Sequence, residues 1–153
     1  SFTKMRYPAD CYGVCGVTLA SVLMAESVPR IVVVDDSPTS ISLYELSTEP
    51  LSVELRSFRS PLDSLLHLGE NGADLLFLDI IMREMDGLTL LKKLRDMELH
   101  RDTSVVIITS KDYAQDRSTA KQLGTLDFLV KPLRSQEIRE IICKYTGAEQ
   151  KAG

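Results

Sequence analysis

Three short apolar runs constrain the fold of this chain more than any other feature, and each is followed directly by a polar or charged residue. They are IVVV at 31–34, LLFL at 75–78 and VVII at 105–108. Apolar runs without polar alternation are typical of strands that are covered on both faces of a parallel sheet. Two weaker strands are also predicted: FLV at 128–130, and an edge strand in which Leu51, Val53 and Leu55 alternate with polar residues.

Helical patterns separate these strands. Ser37 and Pro38 provide an N-cap and a first-turn proline, Pro61 begins a second helix that should stop at Gly69, and Ser135 is predicted to cap the fifth. The fourth helix, at about 112–123, has only a weak apolar face. The predicted apolar stripes are Leu62, Leu65 and Leu66 in the second helix, Leu90, Leu91, Leu94 and Met97 in the third, and Ile138, Ile141, Ile142 and Tyr145 in the fifth.

Five alternating strand–helix units predict an α/β domain with a parallel, doubly wound sheet and right-handed crossovers. The length of 153 residues, 44% of them hydrophobic, suits one such domain. We assign it to residues 24–146, because MAESVPRIVVVDD from Met24 has the pattern of a natural beginning. Residues 1–23 are set aside as a vector remnant, an early start or an appended helix, and residues 147–153 as a frayed tail.

Composition excludes several classes of function. A net charge of -4 and a pI near 5.2 argue against direct binding of nucleic acid. The apolar part of residues 1–23 is too short and too interrupted for a membrane span. The three cysteines, Cys11, Cys15 and Cys143, form neither an even disulfide set nor a zinc quartet. We therefore expect free thiols and a cytoplasmic protein.

The residues that terminate the predicted strands carry the chemistry. Strand one ends in Asp35 and Asp36, strand three in Asp79, strand four in Thr109 and strand five in Lys131. The carboxyl ends of parallel strands meet at one edge of the sheet, which is where such folds bind ligands. Clustered carboxylates without histidine or cysteine nearby suit a hard divalent cation, most naturally Mg²⁺.

With Mg²⁺ bound, Asp79 would stay ionised and act as a nucleophile toward a phosphoryl group. Lys131 would then pair with one phosphoryl oxygen, and Thr109 would donate a hydrogen bond to another. Each of these residues alone has an ordinary interpretation as a helix cap, a turn or a strand end. Their joint occurrence at four strand ends favours the chemical one.

Four motifs carry a resemblance to a known family: VVVDDS, LLFLDIIMREMDG, VVIITS and DFLVKP, in this order. Over about residues 30–145 the chain resembles the receiver domain of two-component response regulators of the chemotaxis type. The resemblance implies a flavodoxin-like (βα)5 fold with strand order 2-1-3-4-5. It also implies a cis peptide bond between Lys131 and Pro132.

The resemblance implies a role for each matching position. These are Asp35 and Asp36 as the acidic Mg²⁺ pair, Asp79 as phosphoacceptor and metal ligand, the Ile81 carbonyl as a further ligand, Thr109 as switch hydroxyl, Phe128 as switch aromatic, and Lys131 as the phosphoryl-binding lysine. Such a domain is a signalling switch that catalyses only its own phosphorylation and slow autodephosphorylation.

The expected partners follow from the same resemblance. The donor would be a histidine kinase or a histidine phosphotransfer protein, and output would pass through the surface of the fourth helix, fifth strand and fifth helix. The downstream protein target is not specified by the sequence. We expect a monomer or a phosphorylation-dependent dimer, without direct contact to nucleic acid or membrane.

The chain departs from the family pattern after Asp79. Where the family commonly has M-P-x-M-D-G, this chain has MREMDG at 82–87, so Arg83 replaces a proline. Arg83 is either a solvated loop residue or a contact that selects a partner or tunes phosphoryl lifetime. Ile81 and Lys111 occupy positions that affect water access in the family. Because the Ile81 side chain cannot orient water, we expect slow autodephosphorylation.

Two other functions remain open. The first is a docking module with a receiver fold that works without phosphorylation. The second is a Mg²⁺-dependent phosphatase of the haloacid-dehalogenase type. That chemistry normally requires a second aspartate two residues after the nucleophile, where this chain has Ile81.

Overall fold

The computed structural model describes residues 28–152, and within them the predicted parallel sheet is confirmed. Its strands are β1 Arg30–Val34, β2 Glu54–Phe58, β3 Leu75–Asp79, β4 Val105–Thr109 and β5 Asp127–Val130. They are ordered β2-β1-β3-β4-β5, and every neighbouring pair is parallel. The predictions for residues 1–23, including those for Cys11 and Cys15, lie outside the described residues. Cys143 is an exposed free thiol, as predicted.

Helices cover both faces of this sheet. They are α1 Pro38–Thr48, α2 Pro61–Glu70, α3 Gly87–Arg95, α4 Ala114–Gln122 and α5 Ser135–Thr146, with a 3-10 turn at Glu98–His100. Successive strand residues point to opposite faces. Thus Leu76 and Leu78 pack in a cluster with residues of α2, α3 and α4, whereas Phe77 packs with Tyr44 of α1 and with α5. The doubly wound architecture is therefore confirmed.

Side-chain caps start α1, α2 and α3, the helices that follow β1, β2 and β3. Ser37 accepts a hydrogen bond from the Ser40 N–H at 3.4 Å, as predicted. Ser60 accepts one from Asp63 at 3.2 Å, and Asp86 accepts one from Thr89 at 2.9 Å. These caps satisfy N–H groups that a helix cannot pair internally, and they fix where each loop becomes a helix.

The predicted position of the second strand is wrong by about three residues. β2 begins at Glu54, whose N–H donates to the Pro29 carbonyl at 2.9 Å, and its register with β1 starts at Arg30. Leu51 instead forms an isolated antiparallel bridge with Gln150. The alternation of Leu51, Val53 and Leu55 was misleading because Leu51 is buried in the core cluster between the sheet and helices α1 and α5, although it lies before the strand. The predicted edge location of this strand is confirmed.

The predicted fraying of the tail is also wrong. The Ser52 N–H donates to the Glu149 carbonyl and the Lys151 N–H donates to the Pro50 carbonyl, both at 2.8 Å. The segment after α5 therefore pairs with the segment before β2. Two backbone hydrogen bonds and the buried Leu51 side chain hold it in place, and tail composition contains no signal for such a partner.

Three helix predictions require correction. In α3 the helix ends at Arg95, so Met97 lies beyond it and packs against the core from the start of the 3-10 turn. In α2 the buried face consists of Pro61, Ser64 and Leu68, and Leu62 and Leu66 are exposed; the helix also continues one residue past Gly69. Leucine spacing was ambiguous there because two adjacent faces of α2 carry leucines. In α5 the N-cap residue is Arg134, and Ser135 is the first helical residue. The Ser135 hydroxyl instead pairs with the Ser47 hydroxyl of α1 at 3.0 Å.

Helix α4 is weakly attached, as its sequence predicted. Within this helix, all of which lies in the described part of the chain, Ala120 is the only buried residue. Arg95 of α3 anchors the carboxyl end of α4 by donating from Nε to the Leu123 carbonyl at 2.8 Å. Its Nη1 atom donates to the Thr103 carbonyl, before β4, also at 2.8 Å. Burial lowers the pKa of the Arg95 guanidinium, and Asp102 partly opposes this effect.

None of the helices between residues 28 and 152 combines the length and apolar character that a membrane span requires.

Candidate functional site

Asp79 occupies the end of the central strand β3 and is 5% exposed. Its Oδ1 atom accepts a hydrogen bond from the Ile81 N–H at 3.2 Å. The chain then turns into α3, and the Gly87 N–H donates to the Ile80 carbonyl at 2.8 Å. The strand, the turn and the helix start together hold the Asp79 carboxylate at the carboxyl edge of the sheet.

Asp35 and Asp36 follow the neighbouring strand β1. Asp35 is 1% exposed, and its Oδ1 atom accepts a hydrogen bond from the Ser37 N–H at 2.9 Å. Asp36 is half-buried. One carboxylate oxygen from each of Asp35, Asp36 and Asp79 lies within 4.8 Å of the others. The acidic cluster that the strand ends predicted is therefore present.

Lys131 brings a positive charge to the same cluster from the end of β5. Its Nζ atom lies 2.9 Å from Asp35 Oδ2 and 3.1 Å from Asp79 Oδ2. The Lys131 N–H donates to the Thr109 carbonyl at 2.8 Å, which ties this loop to β4. The Lys131–Pro132 peptide bond is cis, as the resemblance implied.

Burial and charge shift the pKa values of this cluster. Burial raises the pKa of Asp79, and the neighbouring Asp35 raises it further, although Lys131 opposes both effects. Burial alone would lower the pKa of Lys131, but its contacts with Asp35 and Asp79 outweigh burial and raise it. In α1, burial and the same two carboxylates raise the pKa of Tyr44. Every shift has the direction expected for excess negative charge in a buried site.

The cluster fits a hard divalent cation. Carboxylate oxygens are the ligands that Mg²⁺ prefers. Among residues 28–152, no group donates a well-directed hydrogen bond to Asp35 Oδ2, which is buried and has only its ion-pair contact with Lys131. A carboxylate oxygen has two lone pairs, and the single contact with Lys131 leaves one of them able to bind a cation. The position of the Ile81 carbonyl as a further ligand stays a prediction.

Thr109 ends β4 and is fully buried. Its hydroxyl donates to the Lys111 carbonyl at 3.0 Å and accepts from the Lys111 N–H at 3.1 Å. The hydroxyl is thus engaged with the loop between β4 and α4. Phe128 of β5 is half-buried and packs against the core cluster formed with α2, α3 and α4.

A groove of about 560 Å³ lies beside Asp36. Arg59 and Arg83 line it together with Glu84, whose Oε2 atom accepts a hydrogen bond from the Ser60 hydroxyl at 3.3 Å. Both arginines are exposed. Arg83 therefore lies near the acidic cluster, and both interpretations of its role, solvated residue or partner contact, stay open.

Sequence reasoning missed Arg117 and Tyr44. The guanidinium of Arg117 lies 4.6 Å from the centre of the Phe128 ring, and its fork binds the carboxylate of Asp112. Tyr44 is buried against Phe77, with ring centres 5.1 Å apart. A weakly amphipathic helix gave no reason to single out Arg117. Tyr44 had no signal either, because a single aromatic residue in a helix is usually part of the core.

Comparison with known proteins decides the family. Residues 31–143 match the family described as response regulator receiver domain. The chain belongs to this family. As a receiver domain it is a signalling switch of two-component systems, and its fold class and its family were both predicted correctly from the sequence.

Relatives of this receiver domain are longer proteins. It is 38% identical over 112 residues to the cyclic di-GMP phosphodiesterase response regulator RpfG of Xanthomonas campestris pv. campestris, covering 72% of this chain and 30% of that protein. It is 34% identical over 104 residues to the response regulator PleD of Caulobacter vibrioides, covering 68% of this chain and 23% of that protein. The chain thus spans less than a third of either relative.

Solved structures show the same fold. A CheY-like response regulator receiver domain from Methanospirillum hungatei has a TM-score of 0.73 at 20% identity, covering 79% of this chain and 95% of that chain. The phosphorylated cyanobacterial phytochrome response regulator RcpA has a TM-score of 0.71 at 17% identity, covering 82% of this chain and 99% of that chain.

Proposed function

We propose that this receiver domain accepts a phosphoryl group on Asp79 and transmits the event as a change in the surface formed by α4, β5 and α5. The observation that carries the proposal is the arrangement of three carboxylates within 4.8 Å of one another, with the Lys131 ammonium against two of them. The domain is then a switch whose catalysis is limited to its own phosphorylation and dephosphorylation.

Asp79 is the acceptor because of its place in the fold. It ends the central buried strand, and the Ile81 N–H and the Lys131 ammonium orient its two oxygens. In the transfer, an Asp79 oxygen forms a bond to phosphorus while the P–N bond of a phosphohistidine donor breaks and the imidazole leaves. The transition state is loose, so positioning and charge contribute most of the catalysis.

Asp35, Asp36 and Asp79 would hold Mg²⁺, with the Ile81 carbonyl as a further ligand. When bound, Mg²⁺ supplies positive charge that offsets the repulsion between these carboxylates and the incoming phosphoryl oxygens. Asp35 is suited to this task because its buried Oδ2 atom keeps a free lone pair beside the ion pair with Lys131. Burial raises the pKa of Asp79, and the nearby Asp35 carboxylate raises it further, so a bound cation would relieve part of the cost of ionising Asp79.

Lys131 and Thr109 respond to the new group. The Lys131 ammonium already lies 3.1 Å from Asp79 and would pair with a phosphoryl oxygen after transfer. Thr109 would give up its two contacts with Lys111 to donate to another oxygen. Phe128 would then turn toward the space that Thr109 vacates. The change is a population shift between two packings of α4 and β5.

The donor of this phosphoryl group would be a histidine kinase or a histidine phosphotransfer protein in the cytoplasm. The surface formed by α4, β5 and α5 would then contact a downstream protein. The domain would be a monomer, or it would form a dimer after phosphorylation. Direct nucleic-acid binding is not proposed, because the net charge of the chain is -4.

The test is phosphorylation by acetyl phosphate or phosphoramidate with Mg²⁺, followed by intact mass measurement. Addition of one phosphoryl group to the wild type, but not to Asp79→Asn or in the presence of a chelator, is the expected result. Profiling against candidate histidine kinases would then identify the donor.

The same experiment separates the two alternatives. Absence of labelling would favour a docking module that works without phosphorylation. Turnover of an added phosphate ester would favour a phosphatase, which is disfavoured because Ile81 occupies the position where that chemistry needs a second aspartate.

A further inference from the structure

Arg117 of α4 contacts the switch-position aromatic Phe128 of β5. Its guanidinium lies 4.6 Å from the centre of the Phe128 ring, within the range of a cation–π contact. The other face of this half-buried residue packs toward the core cluster that includes Ala120. Arg117 therefore covers the solvent side of the ring.

Asp112 orients Arg117. The Arg117 fork binds both carboxylate oxygens of Asp112, with 2.9 Å between Nη2 and Oδ2. This two-point geometry fixes the plane of the guanidinium, which a single ion-pair contact would not do. Hydrogen bonding to Arg117 lowers the pKa of Asp112, so the pair is charged at neutral pH.

These contacts continue to the phosphorylation site. Asp112 follows Lys111 in the loop after β4, and the backbone of Lys111 holds the Thr109 hydroxyl through two hydrogen bonds. Thr109, Lys111, Asp112, Arg117 and Phe128 thus form one continuous chain of contacts. Any movement of Thr109 that shifts this loop also shifts the partner of Arg117.

Few other contacts attach the amino-terminal half of α4. Arg95 anchors the carboxyl end of α4 through the Leu123 carbonyl. At the other end the N-cap residue is Tyr113, and no side chain among residues 28–152 caps the helix there. The amino-terminal half of α4 is therefore attached to its surroundings largely through Arg117.

We propose that Arg117, oriented by Asp112, is a positioning residue that holds Phe128 in its present half-buried orientation and so opposes the switch. The role in switching rests on the proposed function, whereas the effect on Phe128 exists without phosphorylation. The exposed ion pair alone contributes little. The cation–π contact at an exposed site changes an equilibrium constant by about two- to fivefold, which suffices in an element near balance.

The test uses ¹⁹F NMR of protein labelled with 4-fluorophenylalanine. The chain has four phenylalanines, and the variant Phe128→Tyr identifies the Phe128 resonance by its loss. Spectra of the wild type before and after treatment with acetyl phosphate and Mg²⁺ give two chemical shifts of Phe128, one for each state. The variants are Arg117→Met, Arg117→Lys and Asp112→Asn, with Lys121→Gln on the same helix as the charge-matched control.

In the unphosphorylated Arg117→Met protein, the chemical shift of Phe128 should lie between these two values, displaced from the unphosphorylated one toward the phosphorylated one. Its initial rate of phosphorylation should rise about two- to fivefold. Arg117→Lys keeps a cation but loses the fork, so it and Asp112→Asn should fall between Arg117→Met and wild type. Lys121→Gln should match wild type.

A resonance displaced away from the phosphorylated chemical shift, or a phosphorylation rate equal to that of wild type, would overturn the inference. Failure of the proposed function has a different signature, because the wild type would then take up no phosphoryl group at all. In that event the inference about switching fails with it. Phosphorylation of the wild type together with an unmoved Phe128 resonance in Arg117→Met would defeat the inference alone.

Discussion

Gly87 approaches Asp79 so closely that a side chain cannot fit between them. A β-carbon on Gly87 would lie 2.0 Å from the Asp79 carbonyl oxygen and 2.8 Å from the carbonyl carbon. Both obstacles are backbone atoms, which cannot rotate away. The start of α3 is thus packed directly on the strand end that carries the proposed phosphoacceptor.

The variant Gly87→Ala should therefore lose about 3 kcal/mol of unfolding free energy, at the upper end for overpacking a close contact. Urea unfolding measures this loss. The matched control is Gly69→Ala in α2, where a β-carbon has no neighbour within 4 Å. That change should be neutral or stabilise by up to about 1 kcal/mol, because alanine is the better helix former. Equal effects in the two variants would contradict the close-packing argument.

Asp79→Asn should stabilise the protein in the absence of Mg²⁺. Because the pKa of Asp79 is raised in the folded state, its ionised form destabilises the fold, and this cost develops as pH rises through the ordinary value toward the raised one. The variant should thus match wild type at low pH and exceed it by about 1 kcal/mol at neutral pH. Thermal unfolding across this pH range measures the difference. Added Mg²⁺ should reduce it, and a variant less stable than wild type at neutral pH would refute the prediction.

Lys131→Met should bind Mg²⁺ more tightly. The ammonium lies within 3.1 Å of two cluster carboxylates, so its removal leaves more negative charge for the divalent cation. We expect about a tenfold gain in affinity, equivalent to ~1.4 kcal/mol, by calorimetric titration. Lys121→Met, an exposed change on α4, serves as control.

The same variant should be less stable without Mg²⁺. The pKa of Lys131 is raised in the folded protein, so its charged form stabilises the fold below the ordinary lysine value and loses this effect as pH rises through the raised one. For the affinity prediction, the contrary outcome is weaker Mg²⁺ binding by Lys131→Met, which would show that the lysine assists the metal instead of competing with it.

Ile81→Asn should shorten the lifetime of the phosphorylated protein several-fold. The Ile81 side chain is 45% exposed next to Asp79 and offers no group that can orient water, whereas an amide does. Loss of the phosphoryl group over time, followed by intact mass, gives the rate. Ile81→Val is the control, since it changes size without adding polarity. A lifetime that is the same in all three proteins would remove Ile81 from the account of slow dephosphorylation.

Much of this fold was predictable because its signals are local. The runs at 31–34, 75–78 and 105–108 are continuous and apolar, and a central strand of a parallel sheet admits little else. Asp35, Asp79 and Lys131 were predictable as neighbours for the same reason, since parallel strands bring their carboxyl ends to one edge. Their separations of 2.9 and 3.1 Å were not.

The errors arose where burial comes from distant partners. Leu51 lies before β2, where its backbone pairs with the distant Gln150 and its side chain is buried in the core cluster, so it imitated strand alternation. Leu62 and Leu66 had suitable spacing, but the orientation of α2 on the sheet selected Ser64 and Leu68 instead. Local patterns contain no information about which of two possible faces the sheet will cover.

The sequence by itself determined the succession of strands and helices along the chain and the residues at the strand ends, because these depend on side-chain type and short-range periodicity. It also indicated the family, through the resemblance of four motifs. Only the tertiary structure decided that Arg117 covers the Phe128 ring, that Thr109 binds the Lys111 backbone, and that Gly87 touches Asp79. Those contacts depend on how separate elements approach one another to within a few ångströms, and that distance is set by packing of the whole domain.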